Sequence, residues 1–252
     1  MCTVVILRRP GHGWPLLFAG NRDEMSDRPW QAPARHWPDR AEVVGGLDTL
    51  AGGSWLGLND SGVVAAVLNR FGTLGPAADR RSRGELVLEA LDHADAVAAA
   101  EALAHLEPRA YRPFNLLIAD DRDAFGLYHR DERLPIEVER IPEGLSLISA
   151  FDRNDERDAR IRGYRPRFEA AAVPDPERAD WRDWQALLGS REPVAGGGPL
   201  SAMCYALPSG FATSSSALIA VPTRSRAGAR QPLWLFADGP PDRAPWRPVA
   251  LA

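Results

Sequence analysis

The 252-residue sequence contains no lysine, so all 30 of its basic residues are arginine. That absence excludes a phosphate-loop lysine, a Schiff-base lysine and a Ser–Lys dyad together. GC-rich codon usage explains it, in keeping with the Arg-, Ala-, Gly- and Pro-rich composition, and no mechanism attaches to it. Cysteine is scarce as well: Cys2 and Cys204 are the only two, too few for a disulfide framework or a zinc-ligand spacing. A reducing, cytoplasmic setting is the expectation. No apolar run approaches the ~18 residues that cross a bilayer, and the first residues lack the basic-then-apolar pattern of a secretory signal. An integral membrane segment is therefore not expected. A net charge of −4 argues against a nucleic-acid surface. No G-x-S-x-G, H-E-x-x-H, C-x-x-C or G-x-G-x-x-G occurs, and the five histidines are scattered, so neither metal nor cofactor is expected.

What is present alternates order with punctuation. Residues 3–8 (TVVILR) and 15–20 (PLLFAG) read as strands around a Pro-Gly-His-Gly turn. Residues 24–40, rich in Pro, Arg and Trp, read as an irregular but ordered loop. Further strands are expected at 54–58, 63–68, 114–119, 124–129, 136–141, 145–149, 216–221 and 232–237. Helices are expected after a capping box at Ser82 and Glu85, from Asp95 to before Pro108, over about 155–172, and over 180–188. This order is not βαβα alternation. It predicts an α+β fold of two antiparallel sheets covered by helices, with residues 1–252 forming a single domain.

The N-terminus carries the most pointed chemistry. Removal of the initiator Met ahead of a small residue would make Cys2 the first residue, with a thiol and a free α-amino group together. A terminal amine titrates near 7.7–8.0 and a free thiol near 8.5, so one residue can hold a nucleophile and its general base. The plain alternative is a small apolar residue at a strand end. Asn21, Arg22, Asp23 and Glu24, in GNRDEMSDRP, end the second strand opposite the start of the first. There Arg22 would favour thiolate and Asp23 would orient the amine; a solvated turn with a local ion pair is the alternative. Asn69, ending VVAAVLN, is a candidate oxyanion donor or a turn former. Trp30, Arg28 and Arg35, in the 28–40 stretch, are candidates for lining a cleft, and Arg28, Arg35 and Arg40 hint at an anionic ligand; ordinary surface arginines are the alternative.

The stretches NRDEMSDRPWQAPARHW, GGLDTLAGGSWLGLNDSGVVAAVLNR, SRGELVLEAL and FNLLIAD, with the leading Met-Cys-Thr, resemble the NRDE family, which includes the transport and Golgi organisation 2 proteins. That family is similar to the N-terminal nucleophile (Ntn) hydrolases, which implies a four-layer αββα sandwich and cleavage of a non-peptide C–N bond. The choloylglycine hydrolase and penicillin V acylase group offers the nearest mechanism. Its nucleophilic cysteine resembles Cys2, the aspartate and asparagine of its R-N-x-D stretch match Asp23 and Asn21, and its oxyanion asparagine resembles Asn69. Three positions depart from the pattern: Gly20 stands where R-N-x-D has arginine, Ser149-Ala150 where a Thr/Ser-Asn follows a strand, and Ser214 where the late Y-G-T-R-S-S has arginine. The resemblance implies a hydrolase of small acyl amides acting through Cys2. The family's association with membrane trafficking also leaves a non-catalytic lipid- or haem-handling protein as the rival reading.

Overall fold

The structure, a computed structural model, describes residues 2–251 apart from Pro76, Ala78 and residues 225–229; the expected loss of Met1 therefore lies outside the described residues. The chain falls into two compact units, Met1–Arg28 with Glu143–Val249, and Pro29–Pro142 with Ala250–Ala252.

In the first unit, strands β1 (Thr3–Arg8), β2 (Leu16–Met25), β10 (Gly144–Ile148), β11 (Phe211–Val221), β12 (Leu233–Ala237) and β13 (Trp246–Pro248) form an antiparallel sheet in the order β10-β1-β2-β11-β12-β13. Helices α3 (Ala159–Ala170) and α4 (Arg182–Leu188) belong to it. Val5, Leu17 and Ala19 alternate onto one sheet face and pack with Ile161, Tyr164 and Phe168 of α3 and Trp184 and Leu188 of α4. Phe168 and Trp184 meet edge to face at 5.6 Å.

In the second unit, β3 (Trp30–Ala34), β4 (Val43–Asp48), β5 (Leu56–Asn59), β6 (Val64–Asn69), β7 (Phe114–Ala119), β8 (Ala124–His129) and β9 (Glu137–Arg140) follow one another across a seven-stranded antiparallel sheet. Helices α1 (Gly84–Leu91) and α2 (Ala96–Leu103) bury Leu86, Val87, Leu91, Ala99 and Leu103 against Val43, Ala65, Leu116 and Leu127. Two antiparallel sheets, each packed with a helical pair, give the α+β class expected.

Local differences from the expectation have identifiable causes. Residues 24–40 are not all loop: β2 continues through Met25 because Met25 pairs with Phe211, and Trp30 and Gln31 pair with Asp48 and Leu47. β4 escaped notice because its Gly45-Gly46 pair lowers strand signal. Gly46 is required there, since a Cβ would stand 2.2 Å from the Trp55 ring. The capping box at α1 does not form. Ser82 Oγ accepts from the Gly84 amide (3.2 Å), but the Glu85 carboxylate is taken by Arg81 at 2.7 Å. α2 does start on a cap, the Asp95 side chain accepting from the Ala98 amide at 2.9 Å. α3 begins only at Ala159, capped by Asp158, and holds Pro166 in its interior.

Candidate functional site

β2 is the spine of the candidate site, paired with β1 on one side and β11 on the other. Thr3 pairs with Asn21, and strand alternation sends Thr3, Asn21 and Asp23 to the helix-covered face, together with Val5 and Ala19. Cys2 precedes Thr3, so alternation gives it the opposite face, shared with Gly20 and Arg22. The half-buried Cys2 thiol donates to the Asp23 backbone carbonyl at 3.7 Å. Burial and the Asp23 charge push this thiol above its ordinary value, and Arg22 counts for less than either. The expected thiolate-favouring effect of Arg22 is thus outweighed, because desolvation of a buried thiolate is the larger influence.

Asp23 is 1% exposed and has a complete set of partners. Its Oδ1 accepts from the Thr213 hydroxyl at 2.8 Å, and its Oδ2 from Arg160 Nη1 at 3.0 Å. Burial and the nearby Asp23 charge push the Tyr205 phenol far above its ordinary value, so it keeps its proton. Burial alone would raise the Asp23 carboxyl. Opposing charge, first from the chain's terminal amine and then from Arg160, together with the hydrogen bonds from Thr213 and Arg160, overcomes it, and Asp23 is held below the usual carboxylate range.

Arg160, Thr213 and Tyr205 were missed in the sequence. A signal for Arg160 existed: it shares the i, i+4, i+8 row of α3 with the buried Tyr164 and Phe168, and a charge in an apolar row asks for a buried partner. Asn21 has its amide fully committed. Nδ2 donates to the carbonyls of Leu188 (3.0 Å) and Met203 (2.9 Å), and Oδ1 accepts from Ser216 (2.7 Å). It ties β2 to the end of α4 and has no donor left for a substrate. Arg22 donates to Ser214 Oγ at 3.2 Å and lies 3.9 Å from Glu24, which in turn is 3.8 Å from Arg28. Ser214 is the extra residue of a β-bulge between Thr213 and Ser215, so the position without arginine is where β11 buckles toward Arg22.

In the second unit, half-buried Asn69 ends β6 opposite Phe114. Trp30 meets Trp55 edge to face at 5.5 Å, and the exposed Arg35 pairs with Asp60 at 2.7 Å. Buried Ser149 donates to Asp158, and its neighbour Ala150 is fully buried. A cleft of about 430 Å³ lined by Arg9, His12, Trp14, Asp175 and Glu177 opens at the turn end of the β1–β2 hairpin. None of the expected site residues lines it. Among the described residues, no three His, Cys, Asp or Glu side chains cluster so as to hold a metal ion, and no helix is long and apolar enough to cross a membrane.

The fold is that of the Ntn hydrolases. It matches a Caenorhabditis elegans N-acylethanolamine-hydrolyzing acid amidase ortholog at TM-score 0.58 and 14% identity, over 86% of this chain and 92% of that one. Penicillin V acylase from Agrobacterium tumefaciens matches at TM-score 0.52 and 15% identity, over 94% and 83%. The C2A mutant of conjugated bile acid hydrolase from Clostridium perfringens matches at 0.52 and 10%, over 99% and 97%. Within that fold class, the family model for Transport and Golgi organisation 2 (TANGO2) matches residues 1–161, and the chain belongs to this family. The Bos taurus and Homo sapiens Transport and Golgi organization protein 2 homologs are each 36% identical over 149 residues, covering 54% and 56% of this chain. The chain spans about half the length of these curated relatives, 51% and 52%.

Proposed function

We propose that the protein is an Ntn-type hydrolase that cleaves the C–N bond of a small acyl amide through Cys2, once Met1 has been removed. The observation that supports this most is the pairing at the head of β1: a half-buried Cys2 beside Asp23, a buried carboxylate kept ionised. Because burial disfavours the thiolate, the reaction needs a base at hand rather than a preformed anion. The α-amino group of a terminal Cys2 supplies it, and Asp23 orients that amine as an ammonium forms. Sγ bonds to the acyl carbon while the thiol proton passes to the amine. The ammonium then protonates the departing amine as the C–N bond breaks. Water cleaves the thioester, releasing the carboxylic acid and restoring the thiol. Arg22, on the thiol's face, supplies positive charge for the polarised carbonyl. The resemblance alone assigns the oxyanion to Asn69 and an anionic portion of the ligand to Arg28, Arg35 and Trp30.

The test compares the Met-processed chain with Cys2→Ala on N-acylethanolamines, penicillin V and conjugated bile acids, reading amine release. Turnover is expected to fall by at least about a thousandfold, with a melting temperature within about 2 °C of the parent, since a half-buried small side chain packs little. Equal turnover by Cys2→Ala, or full activity with Met1 retained, overturns the reading. Binding of a lipid or haem with no turnover would make the protein a carrier instead.

A further inference from the structure

We infer that Arg160 is the positioning residue of this site: from helix α3 it binds both Asp23 and Thr3, fixing the carboxylate against the strand that follows Cys2. The inference rests on the hydrolase reading above. Its basis is a single guanidinium shared between the two strands. Nη1 donates both to Thr3 Oγ1 (2.6 Å) and to Asp23 Oδ2 (3.0 Å), so the residue after Cys2 and the carboxylate on β2 are set against one another by one group. Nη2 donates to the Leu200 carbonyl at 2.7 Å, and the guanidinium lies over the Tyr205 ring at 5.3 Å. Both charged side chains are 2% exposed or less.

No cation on β2 performs this task. Gly20 has no side chain, and a Cβ there would stand 3.1 Å from the Phe18 ring. Arg22 faces away, onto Ser214 and Glu24. Strand alternation forces the division, because neighbours on β2 cannot share a face. The cation for Asp23 therefore comes from a different element. Stability alone gives weak reason for such a pair, since a buried ion pair often contributes no more than packed apolar residues would. What it does supply is a carboxylate that stays charged at neutral pH beside the nucleophile.

Arg160→Met and Arg160→Lys in the full chain test this, with two readouts. The groups around Asp23 are Arg160 from α3, Tyr205, Thr213 from β11, Thr3 from β1, the Cys2 thiol on its backbone carbonyl, and the terminal amine. Without Arg160, burial is opposed by the terminal ammonium and the Thr213 hydroxyl alone, and the Asp23 carboxyl sits higher than in wild type. The folded variant then binds protons that folded wild type does not, so its stability relative to wild type grows as pH falls. The urea midpoint of Arg160→Met, measured against wild type, is expected to climb between pH 8 and pH 5. In wild type Asp23 is lowered, its stabilising effect is present above the unfolded value, and no such climb arises from it. For turnover, kcat is expected to fall about 10–100-fold with KM within about twofold, the acid limb of the pH profile moving upward. Arg160→Lys keeps the charge and should recover part of kcat with the limb unshifted.

A midpoint difference that does not vary with pH overturns the ion-pair claim. A pH-dependent midpoint with unchanged kcat overturns the positioning role. If wild type turns over no amide, the hydrolase reading fails and the positioning role with it, while the pH series still reports whether Arg160 holds Asp23 ionised. Should Arg160→Met not fold, Arg160→Lys decides through kcat: a value equal to wild type with the fork lost refutes the role.

Discussion

Asn21→Ala provides the sharpest stability test, because every polar atom of that side chain has a defined fate. The Leu188 carbonyl at the end of α4 loses its donor at 3.0 Å, and the Met203 carbonyl keeps only a long contact from Thr213 at 3.4 Å. Ser216 falls back on the Gly20 carbonyl at 3.0 Å. The site is closed to solvent, with Asn21 3% exposed and Leu188 fully buried, so water does not replace the missing amide. Each buried polar group left unsatisfied costs about 1–3 kcal/mol, which puts the change at about 2–5 kcal/mol. Against a domain stability of ~5–15 kcal/mol, that is a large fraction. Urea unfolding followed by tryptophan fluorescence is a suitable assay, since Trp184 sits on α4 itself. With a slope of about 2 kcal/mol per molar, the midpoint should drop by about 1–2.5 M. Asn21→Asp should be worse, because it turns carboxylate lone pairs toward two carbonyl oxygens. A drop below about 0.3 M for Asn21→Ala would refute the strut role, and turnover per folded molecule should stay near wild type because the amide has no donor to lose.

Two further substitutions test backbone readings. Pro166→Ala should stabilise by about 1–3 kcal/mol, since Pro166 is exposed within α3 and an interior proline forfeits an amide bond and crowds the preceding turn; a lower melting temperature would contradict this. Gly53→Ala should destabilise by about 2–3 kcal/mol, because its Cβ would stand 2.4 Å from the Gly84 carbonyl carbon, backbone that cannot swing aside. Unchanged melting would show that the 53–54 segment and the start of α1 are less closely apposed.

Where local chemistry dominates, the sequence was readable. TVVILR, FNLLIA and AFGLYH fall at the bounds of β1, β7 and β8 because β-branched and aromatic runs between turn residues have few other options. β13 and β4 were not legible: one is a three-residue strand at Trp246–Pro248, the other is diluted by paired glycines. For the site, Cys2 and the polar stretch of β2 stood out by residue type. The face each side chain takes did not follow from type, yet it decides that Asp23 meets Arg160 while Arg22 does not. Arg160 lies 137 positions from Asp23, a pairing that only the packing of α3 on the sheet creates.

The two sheets also differ in when they can be completed. The β3–β9 sheet is a meander in which every strand pairs with its sequence neighbours, so its contacts can form in the order the chain is made. The other sheet cannot close this way. β2 must wait for β11, with Arg22 and Ser214 separated by 192 residues, and that loop-closure entropy is met before any contact rewards it. Until then β2, paired with β1 alone, is an open edge, and Asp23 lacks the Thr213 hydroxyl. The surroundings of Asp23 are therefore completed late, and a chain stalled before β11 would expose β2 as an aggregation-prone edge rather than a working site.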